Sequence, residues 1–467
     1  MAAVKPLKLL AMAAAVAAFA GTATVNAQTA DSGATRPPAC RPLPPEPPPL
    51  KPTTVTTIAQ AYHCVLDNYF SGPVLDSRAL LQPAFAALTR ELQRRGLDQS
   101  NANAPVLTGK RDADWAAFSK VYQDVVARLP KESQQLVAET TIRAMVDSLD
   151  DNHAGWLRPG DPDFFPVGFL PSHARGPGRT DPTATGPAYV TDVLKGSAAA
   201  NAGVKLGDEI LTVNDVPLFV DGIAVPRVVE WLMEAKEGQR VRLTMRRPST
   251  GETKNYDLTV IRPPEPPQTD VVESKLLPNG VGYVLMHGFE PGAADKVRKA
   301  IADLGKQQRL RGVVFDLRGN GGGSPDEVRK LVSSWVHGKT YSYWCDVRDK
   351  CTPNRTDDSV PLLNLPLVTL TDRRCASACD AFSSAVKDLR FGTLVGTRTA
   401  GAVSGPGEGW VLDDGSFVGL PKVHELGANR EKIDTVGVPP DHFAPVTAAD
   451  LSAGRDPGLD KARALLG

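Results

Sequence analysis

The chain has 467 residues, which is too long for one ordinary domain and enough for two or three. Lys plus Arg and Asp plus Glu both number 53, so no net positive charge is present to attract nucleic acid or anionic lipid. We therefore expect a partner without strong charge, such as a peptide, and no nucleic acid.

Residues 1–27 have the three parts of a secretory signal: a basic start, an Ala-rich apolar stretch up to Ala20, and the small-residue site Val25-Asn26-Ala27. We expect cleavage after Ala27. The apolar stretch is shorter than the ~20 residues that a membrane span needs, and no later segment is apolar enough to span. The sequence therefore predicts a soluble periplasmic or secreted protein.

Residues 28–53 are rich in proline and are predicted to form an extended tether. Helical spacing of apolar residues follows over 54–160, for example at Ile58, Ala61 and Val65, and predicts a small helical domain. Its last helix, from Glu132 to Asp147, leads into Ser148-Leu-Asp-Asp-Asn-His153.

Short strand-like runs separated by Gly, Pro and Asp occupy residues 167–265, with one helix predicted from Val225 to Lys236. From residue 270 to 467 strands alternate with helices, which predicts an α/β layer with its ligands at the carboxyl ends of the strands. The helix from Ala378 to Leu389 is one of these elements.

Six cysteines form an even set in a chain with a secretory signal, so disulfides are expected, although fifteen pairings are possible. Proximity favours Cys345 with Cys351 and Cys375 with Cys379, the second pair either bracing Ser377 or packing as two small buried thiols. No cysteine has the paired spacing of a zinc site, so no metal is predicted.

Two segments of the last block have the composition of a serine hydrolase centre. The strand-like run from Gly312 ends in Arg318-Gly-Asn-Gly-Gly-Gly323, where glycines permit a sharp turn with exposed N–H groups, as in an oxyanion hole. Ser377 lies between alanines at a predicted helix start, where unpaired N–H groups favour developing negative charge. Taken alone, either segment is also typical of a tight turn or a helix cap.

The string from Gly196 to Asn214 resembles the PDZ family in its turn, short helix, Gly-Asp turn and strand. PDZ domains bind an extended peptide as an added strand, so the resemblance implies peptide binding, with Leu206 and Gly207 as candidate contacts. A PDZ domain used only as a rigid spacer is the alternative.

The order of motifs resembles the C-terminal processing, or tail-specific, serine peptidases and their tricorn-like relatives. The matching segments are Ser148–His153, the PDZ domain, Asp316–Gly323, Ala376–Phe382, Gly437–Asp441 and Asp456–Ala462. The resemblance implies an α/β multidomain protein with an N-terminal helical domain, a β-rich PDZ domain and a C-terminal α/β peptidase core of the crotonase/ClpP-like type. It also implies that Ser377 is the nucleophile and that N–H groups of Gly322, Gly323 and Ala378 form the oxyanion hole.

One position departs from the family pattern. In the processing peptidases a lysine follows the nucleophile by twenty-five residues and acts as its base, but position 402 of this chain is Ala402. Lys387 is predicted to lie too far along the helix to replace it.

The tricorn-like branch uses a histidine before the PDZ domain and a late carboxylate instead. His153 and Asp434 match these places, and Glu408 is the second choice for the carboxylate. Imidazole suits a base near neutral pH. The remaining polar candidates are expected to be structural: His287, His424, Asp388 as a brace between its helix and the Gly-rich turn, and Asp316 with Arg318 as partners that shape that turn.

The sequence thus predicts a serine endopeptidase without a cofactor that binds unstructured tails and cleaves them through an acyl-enzyme on Ser377. The alternative is an inactive pseudo-peptidase that acts as a peptide-binding scaffold, favoured by Ala402. A hydrolase for non-peptide acyl substrates is a third possibility, and the oligomeric state is left open.

Overall fold

A computed structural model describes residues 40–46, 48–159, 166–176, 179–180, 185–233, 235–262 and 270–467. The predicted signal at 1–27 lies outside these residues. Within them, no helix combines the length and the apolar character that crossing a bilayer requires.

The N-terminal part is helical, as predicted. Strand β1 (Arg41–Pro42) precedes helices α1 (Val55–Asn68), α2 (Arg78–Arg95), α3 (Arg111–Val126) and α4 (Lys131–Asp147), and strand β2 (Gly155–Leu157) follows them. The apolar residues at helical spacing form one core in which Ile58, Leu80 and Ile142 are fully buried.

The PDZ region contains strands β3 to β12 and two helices. Its strands are β3 (Phe169–Pro171), β4 (Ala174–Gly176), β5 (Arg179–Thr180), β6 (Ala188–Val193), β7 (Glu209–Val213), β8 (Val216–Pro217), β9 (Phe219–Val220), β10 (Ile223–Ala224), β11 (Arg240–Arg246) and β12 (Thr253–Thr259). Helix α5 spans Ala198–Ala202 and helix α6 spans Pro226–Met233. The main sheet has the order β12-β11-β7-β6-β3, so β3 is an edge strand among the described residues.

Strands and helices alternate in much of the α/β core, as predicted, but some strands follow one another without a helix between them. Its strands are β13 (Val272–Leu277), β14 (Val281–Met286), β15 (Gly312–Asp316), β16 (Thr340–Cys345), β17 (Cys351–Arg355), β18 (Leu367–Thr371), β19 (Thr393–Gly396), β20 (Gly407–Val411), β21 (Phe417–Pro421), β22 (His424–Gly427) and β23 (His442–Phe443). Its helices are α7 (Ala293–Gln307), α8 (Pro325–Ser333), α9 (Ala378–Leu389), α10 (Ala448–Ser452) and α11 (Pro457–Leu466).

The central sheet has the order β13-β14-β15-β18-β19-β23, and β14, β15, β18, β19 and β23 run parallel. Strands β15 and β18 are buried at every position, as expected for strands covered on both faces. The Gly-rich turn and the Ser377 turn follow these two adjacent parallel strands, so both lie at the same carboxyl edge of the sheet.

A four-stranded sheet joins distant parts of the chain in the order β1-β20-β21-β2. Strand β1 pairs with β20 and strand β2 pairs with β21, so residues 407–421 of the last block cover the helical domain. Leu412, Val418 and Leu420 belong to the helical core. The predicted helical domain at 54–160 therefore does not close its core alone.

The described end of the Pro-rich segment is packed against the protein instead of forming a free tether. Thr53 Oγ1 donates to Asp414 Oδ2 at 2.7 Å, and Arg158 Nη1 donates to the same carboxylate at 3.0 Å. Proline lacks an N–H donor, which suits this segment to an edge position. The prediction of an extended tether is thus wrong for residues 40–46 and 48–53.

All six cysteines are in disulfides. The pairs are Cys40–Cys64, Cys345–Cys351 and Cys375–Cys379, which confirms the two pairings expected from proximity. The Cys40–Cys64 disulfide ties the Pro-rich segment to α1.

Candidate active site

Ser377 is in a sharp turn immediately before helix α9. Its φ of 58° and ψ of −119° are unusual for a residue with a Cβ and cost of the order of 1–3 kcal/mol. Its N–H donates to the carbonyl oxygen of Ala402 at 2.8 Å and lies 3.0 Å from Asp380 Oδ2. The backbone around the half-buried Ser377 is therefore held in a conformation that its own preferences oppose.

The buried carboxyl group of Asp380 connects this turn to the loop at 399–402. It accepts hydrogen bonds from the Thr399 hydroxyl and from the N–H groups of Gly401 and Ala402, each N–H at 3.0 Å. Burial raises the pKa of Asp380 to about 6, while these hydrogen bonds and that of Ser377 oppose the shift. Asp380 thus fixes the position of the Ser377 backbone relative to the loop.

The Gly-rich turn packs directly on the Ser377 turn. A Cβ on Gly322 would come within 2.6 Å of Ser377 Cβ and 2.9 Å of the Ala378 nitrogen. The N–H of Gly322 donates to Asn320 Oδ1 at 2.9 Å, whereas no acceptor among the described residues takes the N–H of Gly323 or Ala378. Of the three predicted oxyanion donors, the N–H groups of Gly323 and Ala378 thus have no acceptor among the described residues, whereas that of Gly322 already has one.

Asp434 lies on the other side of the same loop. Its Oδ1 accepts the N–H of Val403 at 3.3 Å, one residue after the Ala402 carbonyl that accepts from Ser377. Burial and repulsion from Asp151 raise the pKa of Asp434 to about 6. The charge of Asp151 therefore acts on the Asp434 carboxyl group.

His153 lies two residues after Asp151, whose Oδ1 accepts its N–H at 2.8 Å. The Oδ2 of Asp151 accepts the hydroxyl of Tyr69 at 2.9 Å, and burial followed by the charge of Asp151 raises the pKa of Tyr69. The backbone of His153 passes β21, where a Cβ on Gly419 would meet its carbonyl oxygen at 3.7 Å. The structure thus fixes the backbone of the 151–153 segment beside Tyr69 and β21, with Asp151 near enough to Asp434 to raise the pKa of that carboxyl group.

The missing lysine is not replaced by Lys387. The ammonium group of Lys387 donates to Asp441 Oδ1 at 2.6 Å, an ion pair between helix α9 and the segment before β23. Position 402 contributes backbone groups only, its N–H to Asp380 and its carbonyl to Ser377. Chemistry at Ser377 must therefore use a base other than a lysine at these two places.

The second-choice residues have other partners. Glu408 is half exposed and pairs with Lys422 at 3.3 Å. His287 contacts Glu273 at 2.8 Å on the surface, and the His424 ring packs edge-on against Phe70. None of these contacts includes a residue of the Ser377 turn.

Asp388 has a different role from the predicted one. Its Oδ2 accepts the N–H of Ala428 at 3.0 Å, so it ties α9 to the segment after β22 and not to the Gly-rich turn. By contrast, Asp316 accepts from Arg318 Nε at 2.9 Å directly before that turn, and Arg318 also contacts Asp456 at 2.8 Å. Asp316 and Arg318 thus shape the approach to the turn, as expected.

The Leu206-Gly207 turn of the PDZ domain is covered by helix α10. A Cβ on Gly207 would collide with the Ala448 carbonyl oxygen and lie 2.5 Å from the Ser452 nitrogen. The Tyr189 hydroxyl donates to the Val446 carbonyl nearby at 2.8 Å. Gly207 therefore contacts the α/β core and is not open to a peptide, and Leu206 is 42% exposed beside it.

Sequence reasoning missed three residues that organise the site: Asp380, Asp151 and Thr399. The signal for Asp380 was its place three residues after Ser377, where an acidic side chain can accept the N–H of the residue before the helix. Asp151 and Thr399 had no comparable signal, because the contacts of Asp151 with Tyr69 and of Thr399 with Asp380 join segments that are separate in the sequence.

Comparisons with known proteins identify two domains in the chain. Residues 280–443 match peptidase family S41 and residues 189–247 match the PDZ domain. The chain thus contains an S41 peptidase domain and a PDZ domain, and these matches support a serine-type peptidase.

Its relatives are carboxy-terminal processing proteases. The chain is 26% identical over 332 residues to carboxy-terminal processing protease CtpA of Bacillus subtilis (strain 168), over 70% of this chain and 68% of that protein. It is 29% identical over 321 residues to the chloroplastic carboxyl-terminal-processing peptidase 2 of Arabidopsis thaliana, over 65% of this chain and 60% of that protein. The chain thus spans three fifths to two thirds of these relatives' length.

Solved structures share the fold. The photosystem II D1 C-terminal processing protease superposes with a TM-score of 0.51 at 21% identity, over 84% of this chain and 93% of that one. A structure of mature CPAF superposes with a TM-score of 0.53 at 15% identity, over 88% of this chain and 95% of that one.

Proposed function

We propose that this protein is a periplasmic or secreted serine endopeptidase that binds unstructured protein tails and cleaves them through an acyl-enzyme on Ser377. His153 acts as the general base, and Asp434 orients it. The oxyanion hole consists of the N–H groups of Gly323 and Ala378.

One observation carries this proposal. The Ala402–Val403 peptide unit connects Ser377 to Asp434, because the carbonyl of Ala402 accepts from Ser377 and the N–H of Val403 donates to Asp434. The charge of Asp151, two residues before His153, is one cause of the raised pKa of Asp434, which supports placing His153 near the same loop. These contacts support the proposal that a nucleophile, an imidazole and a carboxylate from three distant stretches act together, and the proposal requires the imidazole of His153 to reach both Ser377 and Asp434.

The reaction follows from these roles. The Ser377 hydroxyl attacks the scissile carbonyl carbon while its proton passes to His153, and the carbonyl oxygen becomes an oxyanion that accepts from Gly323 and Ala378. Collapse of this intermediate breaks the C–N bond, and His153 returns the proton to the leaving amine. Water, deprotonated by His153, then hydrolyses the ester and restores Ser377.

In this proposal the PDZ domain binds the tail of the substrate. Its edge strand β3 has no partner on its outer side among the described residues, and helix α6 belongs to the same core. An extended tail can add beside β3 through main-chain hydrogen bonds. Binding of a labelled peptide with a free carboxylate, compared with the same peptide amidated, tests whether the C-terminus is recognised.

The decisive experiment measures the rate at which a fluorophosphonate probe labels the mature chain. We expect labelling of the wild type, none of Ser377→Ala, and a loss of at least ~100-fold in His153→Ala and Asp434→Asn. Glu408→Gln is the matched control, because this carboxylate is tied to Lys422. A loss of labelling in Glu408→Gln without a loss in Asp434→Asn would show that Glu408, and not Asp434, orients the base.

A wild type that binds peptides but resists the probe would establish the scaffold instead, which the alanine at position 402 favours. Labelling that persists in His153→Ala would support the peptidase and exclude His153 as its general base.

The location rests on the secretory signal at residues 1–27 and on three disulfides that need an oxidising compartment. Fractionation of expressing cells and N-terminal sequencing test it. We expect the mature chain outside the cytoplasm, beginning at Gln28.

A further inference from the structure

The turn that carries Ser377 is closed into a covalent ring. The disulfide Cys375–Cys379 joins residues two positions before and two positions after Ser377, with a Cα–Cα separation of 5.2 Å. Both cysteines are fully buried. The family pattern that this segment resembles has Ser at the second cysteine position, so the ring is a feature of this chain.

The ring is attached to both walls of the site. On one side the Ala376 N–H donates to the Asn320 carbonyl of the Gly-rich turn at 3.0 Å. On the other side the Cys375 carbonyl accepts the N–H of Ala400 at 2.9 Å. Movement of the ring would therefore displace the oxyanion turn and the 399–402 loop together.

The conformation inside the ring needs a constraint. Ser377 has a φ of 58°, whereas a serine before a helix ordinarily adopts an extended backbone with negative φ. Relaxation to that conformation would rotate the Ala376–Ser377 and Ser377–Ala378 peptide units and turn the Ala378 N–H away from the oxyanion position. The cross-link between Cys375 and Cys379 opposes this rotation, because it fixes both ends of the five-residue turn.

We propose that the Cys375–Cys379 disulfide is a positioning element for catalysis: it holds Ser377 and the Ala378 N–H in their reactive arrangement, and acyl transfer is fast only when this pair is oxidised. The inference rests on the proposed function of Ser377 as the nucleophile. It assigns the disulfide an effect on the chemical step, separate from its contribution to global stability.

The test compares two disulfide deletions in the mature chain. Cys375→Ala/Cys379→Ala removes the ring, and Cys345→Ala/Cys351→Ala removes the β16–β17 disulfide as the matched control. We expect the ring variant to lose at least about tenfold in labelling rate and kcat, with KM and peptide affinity within about twofold of wild type. The control should keep the wild-type labelling rate.

All rates are measured well below the melting temperature of each variant, so that a purely structural role would leave the labelling of the folded protein unchanged. Wild-type rates in the ring variant would overturn the proposal. If the ring variant does not fold, folded wild type is reduced instead, and alkylation with mass spectrometry identifies the state of Cys375 and Cys379. Reduction at these two residues without loss of labelling would also overturn it.

Hydrogen exchange separates this inference from the proposed function. We expect faster exchange of the amides of residues 376–381 in the ring variant, with little change in β15 and β18. An unlabelled wild type would refute the peptidase and with it the catalytic role of the ring. A labelled wild type, with unchanged labelling and unchanged protection of 376–381 in the ring variant, would refute the role of the ring alone.

Discussion

The contact between Gly322 and the Ser377 turn leads to a sharp prediction for Gly322→Ala. The added methyl group would lie 2.6 Å from Ser377 Cβ, 2.7 Å from the Ala376 carbonyl oxygen and 2.9 Å from the Ala378 nitrogen. These neighbours belong to a turn that cannot move without displacing the nucleophile. The φ of Gly322, 102°, is also one that alanine disfavours.

Both effects destabilise the turn. A positive φ costs an alanine roughly 1–2 kcal/mol, and overpacking by one methyl group costs about 1–3 kcal/mol. The sum is about 2–5 kcal/mol, which in a domain of this size lowers the melting temperature by roughly 2–4 °C per kcal/mol. If the turn shifts to relieve the clash, stability is partly retained but the oxyanion geometry is lost.

The neighbouring Gly321 provides a control of the same chemistry. A Cβ there meets no atom within 4 Å, and its φ is not positive, so Gly321→Ala should change stability by less than about 0.5 kcal/mol. We expect Gly322→Ala to lose at least ~100-fold in fluorophosphonate labelling and to melt earlier, while Gly321→Ala resembles wild type in both assays. Equal behaviour of the two variants would refute this account of the turn.

Two further predictions concern titration and the base. Burial, with the charge of Asp380 as a smaller cause, raises the pKa of Glu425 to about 7 from an ordinary value of 4.5, so the native state holds this proton more tightly than the unfolded chain. The stability that this proton contributes is complete below pH ~4.5 and is lost as the pH rises through 7. Over this range the free energy of unfolding, measured with denaturant, should fall by about 1–3 kcal/mol more in wild type than in Glu425→Gln. Parallel curves for the two proteins would contradict this prediction. Lys387→Ala should be labelled at the wild-type rate, because the lysine is in an ion pair with Asp441. Its free energy of unfolding should fall by less than about 1 kcal/mol, because the pair is partly exposed. Loss of labelling in a folded variant would make Lys387 the base.

Much of the α/β core could be read from local sequence. Helix α9 has the predicted limits, Ala378–Leu389. Apolar periodicity and Gly punctuation mark such elements, because each depends on neighbours a few residues away. The two short-range disulfides were predictable for the same reason.

The sheet order β1-β20-β21-β2 was not predictable, because it pairs Arg41 with Val411 and Gly155 with Gly419. Short strands of two to five residues have little periodicity to detect, and their partners are hundreds of residues away. The same reason explains why Gly207 was misread, since the helix that covers it is near the C-terminus.

The same distinction between local pattern and tertiary contact applies to the candidate active site. The local pattern was sufficient to predict the Ser377 turn and the glycines that face it, since both follow buried parallel strands whose ends share one edge. The folded chain was needed to show that Gly322 donates its N–H to Asn320 and that Asp380 connects the turn to residues 399–402. It was also needed to show that Asp434 accepts the N–H of Val403. Contacts of this kind depend on how separate segments pack, and packing is a property of the whole chain.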